Sequence, residues 1–171
     1  TEISGVADYA LDDDEAYLAK LRELVERLRR PTHAPELRQV AAGIEDADRL
    51  YELLPADHRM SYDMHTVLRA ILDEGKLDEF QEQLAKEVIC GDGAIEGIPV
   101  GVIANQRGLI KGRPGEKPRF GGIVYAESAE KVAYFIERCE RHGIPLLFVQ
   151  DVSGFMVGGE AEHEGIIRAG A

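Results

Sequence analysis

VICGDGAIEGIPVGVIAN, residues 88–105, is the stretch that decides the fold. Two apolar runs flank Glu96-Gly97, a pair that favours a tight turn, so the stretch predicts two strands joined directly to each other. Gly91, Gly93 and Gly97 invite a dinucleotide-binding interpretation, but the third glycine comes one position late and no helix follows it. We therefore interpret the glycines as part of a closely packed strand.

The residues that follow extend this pair into an α/β unit. After an irregular segment, 106–119, residues 127–142 predict a helix that ends at Gly143. Pro145–Val152 is an apolar run typical of a strand buried on both faces, residues 153–159 form a glycine-containing loop, and residues 164–171 begin another helix. The predicted order is β-β-α-β-loop-α. The apolar face of the long helix comprises Ala129, Val132, Ala133, Ile136 and Cys139.

Helices are predicted before residue 88. Asp12 and Glu15 have capping-box spacing for a helix that carries Leu18, Leu21, Val25 and Leu28 and stops at Pro31. A short helix follows at residues 46–54, and Asp63 can cap another over 64–73. Leu77, Phe80 and Leu84 suggest one or two further amphipathic turns. The last predicted helix breaks off at Ala171 with nothing to cover its apolar face, so we expect a piece of a longer chain.

Composition narrows the classes of partner. The 171 residues carry 20 Lys and Arg against 32 Asp and Glu, a net charge of −12 that disfavours nucleic acid. No apolar run is long enough to span a membrane, and no secretory signal is visible. Cys90 and Cys139 lie in apolar surroundings without the spacing of a zinc site, so we expect buried, reduced thiols and a cytoplasmic protein.

Three groups of residues suggest chemistry but allow a plainer interpretation. Residues 106–119 hold five basic residues and one acidic residue, a local +4 that suits either an anionic ligand or a solvated loop. Glu160, Glu162, His163 and Glu164 could ligate a metal, but their spacing matches no metal motif, and we expect no metal. Ser153 follows a strand but lacks a nucleophile-elbow motif and favours turn formation. His33, His58, His65 and His142 have no partner that the sequence identifies.

Asp151–Gly158 is the most informative stretch for a binding site. It takes an apolar strand into a glycine loop, and ligands of α/β proteins bind where such strands end. Glycines let backbone N–H groups approach a carbonyl oxygen, and Phe155 and Met156 could form an apolar wall. An ordinary connection between strand and helix, with two apolar anchors, is the alternative.

Six segments, in this order and spacing, resemble one family. They are Ser4–Asp8 with Asp12–Glu15, Tyr62–Met64 with Val67-Leu68, Gly97–Asn105, Glu127–Lys131, Ile144–Asp151 with Gly154–Gly158, and Gly165–Ala171. The chain resembles the carboxyltransferase subunit of biotin-dependent acyl-CoA carboxylases and the related glutaconyl-CoA decarboxylase.

The resemblance implies a crotonase-like fold and transfer of a carboxyl group between biotin and an acyl-CoA. It implies that each subunit has two such domains. Residues 1–50 would then be the tail of the first domain with its linker, and residues 51–171 the first half of the second, biotin-side domain. No side-chain nucleophile is then needed, because backbone amides stabilise the enolate and the ureido oxyanion. The implied partners are a biotin carboxyl carrier protein and further copies of the subunit.

Six positions match family residues on the biotin side: Asn105, Gln106, Gly154, Phe155, Met156 and Gly158. We expect them to line the pocket, and no catalytic residue is assigned. The family's glycine-rich oxyanion segments are expected outside this chain. Two other hypotheses remain open at this point: a non-catalytic assembly module, and a crotonase-type CoA enzyme that works without biotin.

Overall fold

The computed structural model describes residues 8–28, 50–57, 59–112, 115 and 117–171. Six helices and eight strands lie in these ranges. They are α1 (Asp14–Leu28), α2 (Leu50–Leu53), α3 (Met64–Ile71), β1 (Asp78–Phe80), β2 (Val88–Ile95), β3 (Ile98–Asn105), β4 (Leu109–Ile110), β5 (Arg119–Phe120), β6 (Ile123–Val124), α4 (Ala126–His142), β7 (Leu146–Val149), β8 (Gly154–Phe155), α5 (Gly159–His163) and α6 (Ile166–Ala169). The predictions that concern residues 1–7 and 29–49, His58, Arg113 and Glu116 lie outside the described residues.

A four-stranded sheet in the order β1-β2-β3-β7 forms the centre of the molecule. β2 and β3 are antiparallel from Ile95↔Ile98 to Val88↔Asn105, so Glu96-Gly97 is the whole connection. Both turn residues have positive φ, 50° and 78°, as a two-residue hairpin with right-handed strand twist requires. β7 then pairs in parallel with β3, and α4 makes the connection between them. The predicted hairpin and the β-α-β order are confirmed.

Helices cover both faces of this sheet. On one face, Met64 and Leu68 of α3 and Leu72 just after it pack against residues such as Ile89 and Val102. Because neighbouring strand residues point to opposite faces, Cys90 and Ile103 lie on the other side, where they contact Phe135 and Cys139 of α4. Both cysteines are buried free thiols, as predicted. Among the described residues, no helix is long and apolar enough to cross a lipid bilayer.

The predicted buried face of α4 is partly wrong. Ala129 and Cys139 are buried as expected, but Ala133 is exposed, and Phe135 and Lys131 are fully buried instead. Phe135 contributes far more apolar area than an alanine, and its ring centroid lies 5.5 Å from that of Phe80. Lys131 is accommodated because its Nζ donates to the carbonyl oxygens of Leu84 (2.9 Å) and Val88 (2.8 Å).

The amphipathic turns predicted around Leu77, Phe80 and Leu84 are also wrong. Residues 78–80 form the edge strand β1, in which Phe80 lies opposite Cys90 of β2. The three apolar residues do recur at helical spacing, but residues 78–80 pair with β2 in an extended conformation that places Phe80 in the core. A turn region over residues 81–87 then places Leu84 in the interior.

Further boundaries differ from the prediction for local reasons. Asp13, not Asp12, caps α1, and its Oδ1 accepts from the amide of Ala16 at 2.8 Å.

β7 is not buried on both faces: it is an edge strand in the described part of the chain, and Phe148 is 47% exposed. The helix predicted from Glu164 is the short α6, which begins after Gly165 takes a left-handed conformation at φ 81°, and the short α5 before it was not predicted. Residues 106–119 are not wholly irregular, since β4 lies there and pairs with β5.

The remaining helix predictions are close. Asp63 caps α3 by accepting from the amide of His65, and α3 ends two residues earlier than predicted, before a 3-10 turn at Asp73–Gly75. Gly143 ends α4 in a left-handed conformation. Within the helix predicted over residues 46–54, the described part is α2.

Candidate functional site

The carboxyl ends of two neighbouring parallel strands define the candidate site. β3 ends at Asn105 and β7 at Val149, and the two strands pair in register from Gly101↔Leu146 to Ala104↔Val149. The residues that follow them, Gln106-Arg107 and Gln150-Asp151, therefore emerge at the same edge of the sheet. This is the position at which open α/β sheets bind ligands.

Gln106 is held by contacts on both ends of its amide. Its Oε1 accepts from the backbone amides of Met64 (2.9 Å) and Arg107 (3.0 Å), and its Nε2 donates to Asp63 Oδ1 at 2.9 Å. Burial works to raise the pKa of Asp63, but hydrogen bonds from Gln106 and His65 together hold it below its usual value. Gln106 thus joins the end of β3 to the start of α3, and its polar atoms are engaged within the fold.

Asp151 receives two partners at the end of β7. The Tyr62 hydroxyl donates to its Oδ2 at 2.9 Å, and Arg107 Nε lies 3.2 Å from the same oxygen. Arg107 Nη1 also donates to the Asp151 carbonyl oxygen at 3.4 Å. Burial, together with the hydrogen bond to Asp151, raises the pKa of Tyr62 to about 12, so the tyrosine remains a protonated donor across the physiological range.

The glycine loop, residues 153–158, is built against a second segment. Its strand β8 pairs in parallel with β6, and its ends are fixed by hydrogen bonds from Ser153 N to Gly122 O (2.7 Å) and from Met156 N to Val124 O (2.8 Å). The sequence did not predict this pairing, since neither two-residue strand has a recognisable pattern.

The loop presents open backbone and one exposed ring. Gly154 and Gly158 have φ values of 150° and 120°, and a Cβ added at either position would meet no atom within 4 Å. Phe155 is 49% exposed. A side chain at Gly154 or Gly158 would therefore occupy the open space beside the loop, which is available to a ligand.

The six predicted pocket residues reach this edge with different roles. Gln106 and Phe155 are placed as described, and Asn105 is buried at the end of β3. Met156 packs its side chain against a small cluster of Ala126, Ala161 and Ile166, so it supports the loop from below. Gly154 and Gly158 contribute backbone.

A shallow groove of about 480 Å³ runs along the same edge. It lies between residues 61–63, before α3, and residues 106–110, after β3. Tyr62, Asp63, Gln106 and Arg107 all belong to its wall.

Most of the described basic residues of 106–119 are paired with carboxylates. Arg119 Nη1 lies 2.9 Å from Glu87 Oε1, which is fully buried, and 2.7 Å from Glu127 Oε2. Lys117 pairs with Glu160 at 3.0 Å on the surface. With Arg107 bound to Asp151, the two arginines anchor the ends of the segment, and Lys111 is exposed between them.

Other candidate groups do not assemble into a centre. Within the described ranges, no three His, Cys, Asp or Glu side chains come together in a way that could hold a metal ion. Ser153 uses its amide in the contact with Gly122, as a turn residue would. His142 is exposed at the end of α4.

Sequence reasoning missed Tyr62, Asp63, His65 and Arg107 as parts of one polar network. His65 Nε2 lies 2.8 Å from Glu79 Oε2 and Nδ1 lies 3.2 Å from Asp63 Oδ1. The available signal was positional: Asp63 was identified as a helix cap, and Arg107 directly follows a predicted strand.

Comparison with known proteins gives a consistent result. A family model for the carboxyl transferase domain matches residues 1–171. The chain is 35% identical, over 98% of its length, to the methylcrotonoyl-CoA carboxylase beta chain of Dictyostelium discoideum, of which it covers 26%. It is 39% identical, over its whole length, to the propionyl-CoA carboxylase carboxyltransferase subunit of Haloferax mediterranei, of which it covers 32%.

Solved structures agree in fold. The transcarboxylase 12S hexamer with methylmalonyl-coenzyme A matches 98% of the chain with a TM-score of 0.79 and 27% identity, and the chain covers 31% of it. The beta subunit of P. aeruginosa geranyl-CoA carboxylase matches 98% of the chain with a TM-score of 0.66 and 28% identity, with 30% of that subunit covered. These likenesses confirm the crotonase-like α/β fold, and the chain spans about a third or less of each of these relatives.

Proposed function

Because this chain belongs to the carboxyl transferase domain family, we propose that it is part of the carboxyltransferase component of a biotin-dependent acyl-CoA carboxylase. The relatives named above are methylcrotonoyl-CoA and propionyl-CoA carboxylase subunits, which supports carboxylation of an acyl-CoA over decarboxylation. Since the chain spans about a third or less of those relatives, the activity is proposed for the protein that carries it.

Within that protein, we assign residues 1–50 to the end of a first domain with its linker and residues 51–171 to the first half of a second, biotin-side domain. Leu50 packs with Tyr62 against the core formed by α3 and the sheet, which supports including residues from about 50 onward in the second unit. The partners would be a biotin carboxyl carrier protein and other copies of the subunit, and the similar transcarboxylase 12S is a hexamer.

The glycine loop is the observation that supports the biotin-side assignment. Gly154 and Gly158 leave open space where side chains would stand, and the exposed Phe155 offers an apolar surface beside it. Biotin has a compact bicyclic ring with a polar ureido edge, so an apolar wall next to accessible backbone suits it. When bound, biotin supplies the ureido nitrogen that carries the carboxyl group.

The side chains at this edge shape the site and do not supply a nucleophile. Gln106 and Arg107 are bound to other groups of the fold, and the Tyr62 hydroxyl donates to Asp151. In the proposed reaction, charge develops on the thioester enolate and on the ureido oxygen, where fixed backbone dipoles stabilise it. A site with engaged side chains and open backbone is consistent with that chemistry.

One feature supports a cytoplasmic setting in our proposal. Cys90 and Cys139 are buried free thiols, which suits a reducing compartment. Burial raises the pKa of Cys90 to about 12, so this thiol stays protonated and unreactive.

Replacing Phe155 with alanine tests the assignment of the loop. Loss of the exposed ring should raise the KM for free biotin about tenfold and leave the KM for acyl-CoA unchanged, because about 1.4 kcal/mol of lost contact is a tenfold change in affinity. The measurement is steady-state transfer by the protein that carries this chain.

The matched control is Tyr134→Ala, which removes a ring of similar exposure, 47%, from α4, where the ring contacts Phe80 of β1. Tyr134→Ala should leave both KM values unchanged. Equal kinetics for Phe155→Ala and the unmodified protein would remove the glycine loop from the biotin side.

A further inference from the structure

Arg107 is the most buried of the described basic residues of its segment. Its side chain is 19% exposed, against 32% for Arg119 and 84% for Lys117. Its Nε lies 3.2 Å from a carboxylate oxygen of Asp151, an ion pair without hydrogen-bond alignment, and its Nη1 donates to the carbonyl oxygen of the same residue at 3.4 Å. One guanidinium therefore fixes both the side chain and the backbone at the point where β7 turns into the glycine loop.

Gly122 completes this contact. Its φ is +79°, and a Cβ there would lie 2.6 Å from Arg107 Nη1 and 3.1 Å from Asp151 O. The absence of a side chain lets the guanidinium lie between two backbone segments. On the far side, Gly122 O accepts from Ser153 N at 2.7 Å.

The loop depends on this arrangement because its own pairing is short. β6 and β8 share only two residue pairs, Ile123↔Gly154 and Val124↔Phe155, and an isolated ladder of that length is not stable in water. The hydrogen bonds Ser153 N to Gly122 O and Met156 N to Val124 O extend it at both ends. A tether that fixes residues 122 and 151 relative to each other therefore fixes the register of β8.

We propose that Arg107 is a positioning residue: by pairing with Asp151 and packing against the backbone at Gly122, it holds the glycine loop, residues 153–158, in the conformation that the biotin-side half of the reaction requires. The link to biotin rests on the proposed function. The effect on the loop itself follows from the contacts of Arg107, Gly122 and Asp151 alone.

Arg107→Met tests both parts. It keeps most of the apolar stem and removes the guanidinium, so the amides of Ser153 and Met156 should exchange with deuterium about tenfold faster in native-state hydrogen exchange. In carboxyl transfer by the protein that carries this chain, the KM for free biotin should rise about tenfold while the KM for acyl-CoA stays constant. Arg107→Lys keeps the charge without the two-point contact, so its exchange rates and its KM for free biotin should lie between those of Arg107→Met and those of the unmodified protein.

Arg138→Met is the matched control. Arg138 makes a similarly half-buried pair with Asp92, with Nη1 and Nη2 at 3.1 and 2.6 Å from the two carboxylate oxygens, on β2 and α4. Its loss should lower the free energy of unfolding. Exchange at the amides of Ser153 and Met156, measured under conditions where they exchange by local opening, should not change, and neither should either KM value. A merely structural role for Arg107 would make its variant behave like Arg138→Met.

The outcomes separate the two claims. Unchanged exchange at Ser153 and Met156 in Arg107→Met overturns the positioning role. Faster exchange with an unchanged KM for biotin overturns the link between the loop and biotin. If the unmodified protein forms no carboxybiotin at all, the proposed function fails and the biotin link fails with it, while the exchange experiment still decides whether Arg107 positions the loop.

Discussion

At the residue scale, polar side chains at the carboxyl edge of the sheet hold one another in place. His65 lies between two carboxylates, with Nε2 2.8 Å from Glu79 and Nδ1 3.2 Å from Asp63, and Gln106 Nε2 is 3.3 Å from Nδ1. The hydrogen bond with Glu79 raises the pKa of His65, and Asp63 adds to the effect against an opposing contribution from burial.

This environment predicts a pH dependence of stability. A histidine whose folded-state pKa is raised stabilises the fold fully below its unfolded-state pKa, about 6.5, and loses that contribution as the pH rises through the folded-state value. The urea midpoint of the unmodified protein should therefore fall more between pH 6 and pH 9 than that of His65→Gln. Parallel midpoint curves for the two proteins would show that the imidazolium contributes nothing.

The ring of Phe155 lies directly against Gly170, which has no side chain. A Cβ at position 170 would lie 2.5 Å from Cε1 and 2.8 Å from Cζ of that ring. Gly170→Ala should turn the half-exposed ring aside and raise the KM for biotin severalfold, with little change in the free energy of unfolding, because the ring can move into solvent. Transfer kinetics beside a urea unfolding curve measure both, and an unchanged KM would mean that the position of the ring does not matter.

At the scale of elements, α4 can approach β3 closely because Gly101 lacks a side chain. A Cβ at Gly101 would lie 2.6 Å from Cys139 Sγ and 3.1 Å from Leu146 Cδ2. Both cysteine and glycine are buried, so neither backbone can retreat without disturbing the core.

Gly101→Ala should therefore lower the free energy of unfolding by about 1–3 kcal/mol, the usual cost of overpacking. The double variant Gly101→Ala/Cys139→Ala should be less destabilised than the sum of the single variants, because removing the sulfur relieves the clash. Gly159→Ala, where a Cβ meets nothing within 4 Å, is the control. Strict additivity of the two changes in urea unfolding would contradict this packing.

The elements also show what the sequence could predict. The β2–β3 hairpin and the end of α4 at Gly143 depend on neighbouring residues, and both were predicted correctly. β1 was missed because its only strand signal is its pairing with Cys90–Asp92, which lies ten or more residues away. β8 was missed for the same reason, since its partner β6 precedes α4.

The candidate site, too, could be predicted from the sequence only in part. Its position at the end of the β7 strand could be predicted, because an apolar run that leads into glycines is visible in the sequence. The network behind it could not, because Arg107 and Asp151 are 44 residues apart and Gln106 and Asp63 are 43 apart. In the sequence, Arg107 belongs to a basic segment for which an anionic ligand was one interpretation, whereas in the structure its charge is paired with Asp151.

At the scale of the whole molecule, the net charge of −12 coexists with internal pairing of the cations nearest the site. Arg107 and Arg119 anchor the ends of residues 107–119 to Asp151, Glu87 and Glu127. At the other end of the described chain, the backbone oxygen of Asp8 accepts from the amide of Gln81, just after β1, at 3.2 Å, and Lys20 of α1 pairs with Asp78 of β1. These contacts attach α1 to the edge strand β1.

Carboxyl transfer to free biotin tests the central claim most directly. The protein that carries this chain would be incubated with free biotin and a malonyl-CoA or methylmalonyl-CoA labelled in the transferable carboxyl group, and labelled carboxybiotin would be measured. We expect carboxybiotin to form at a rate that depends on both substrates and falls in Phe155→Ala. A folded, intact protein that forms no carboxybiotin, or that consumes the acyl-CoA equally well without biotin, would contradict the assignment to biotin-dependent carboxyl transfer.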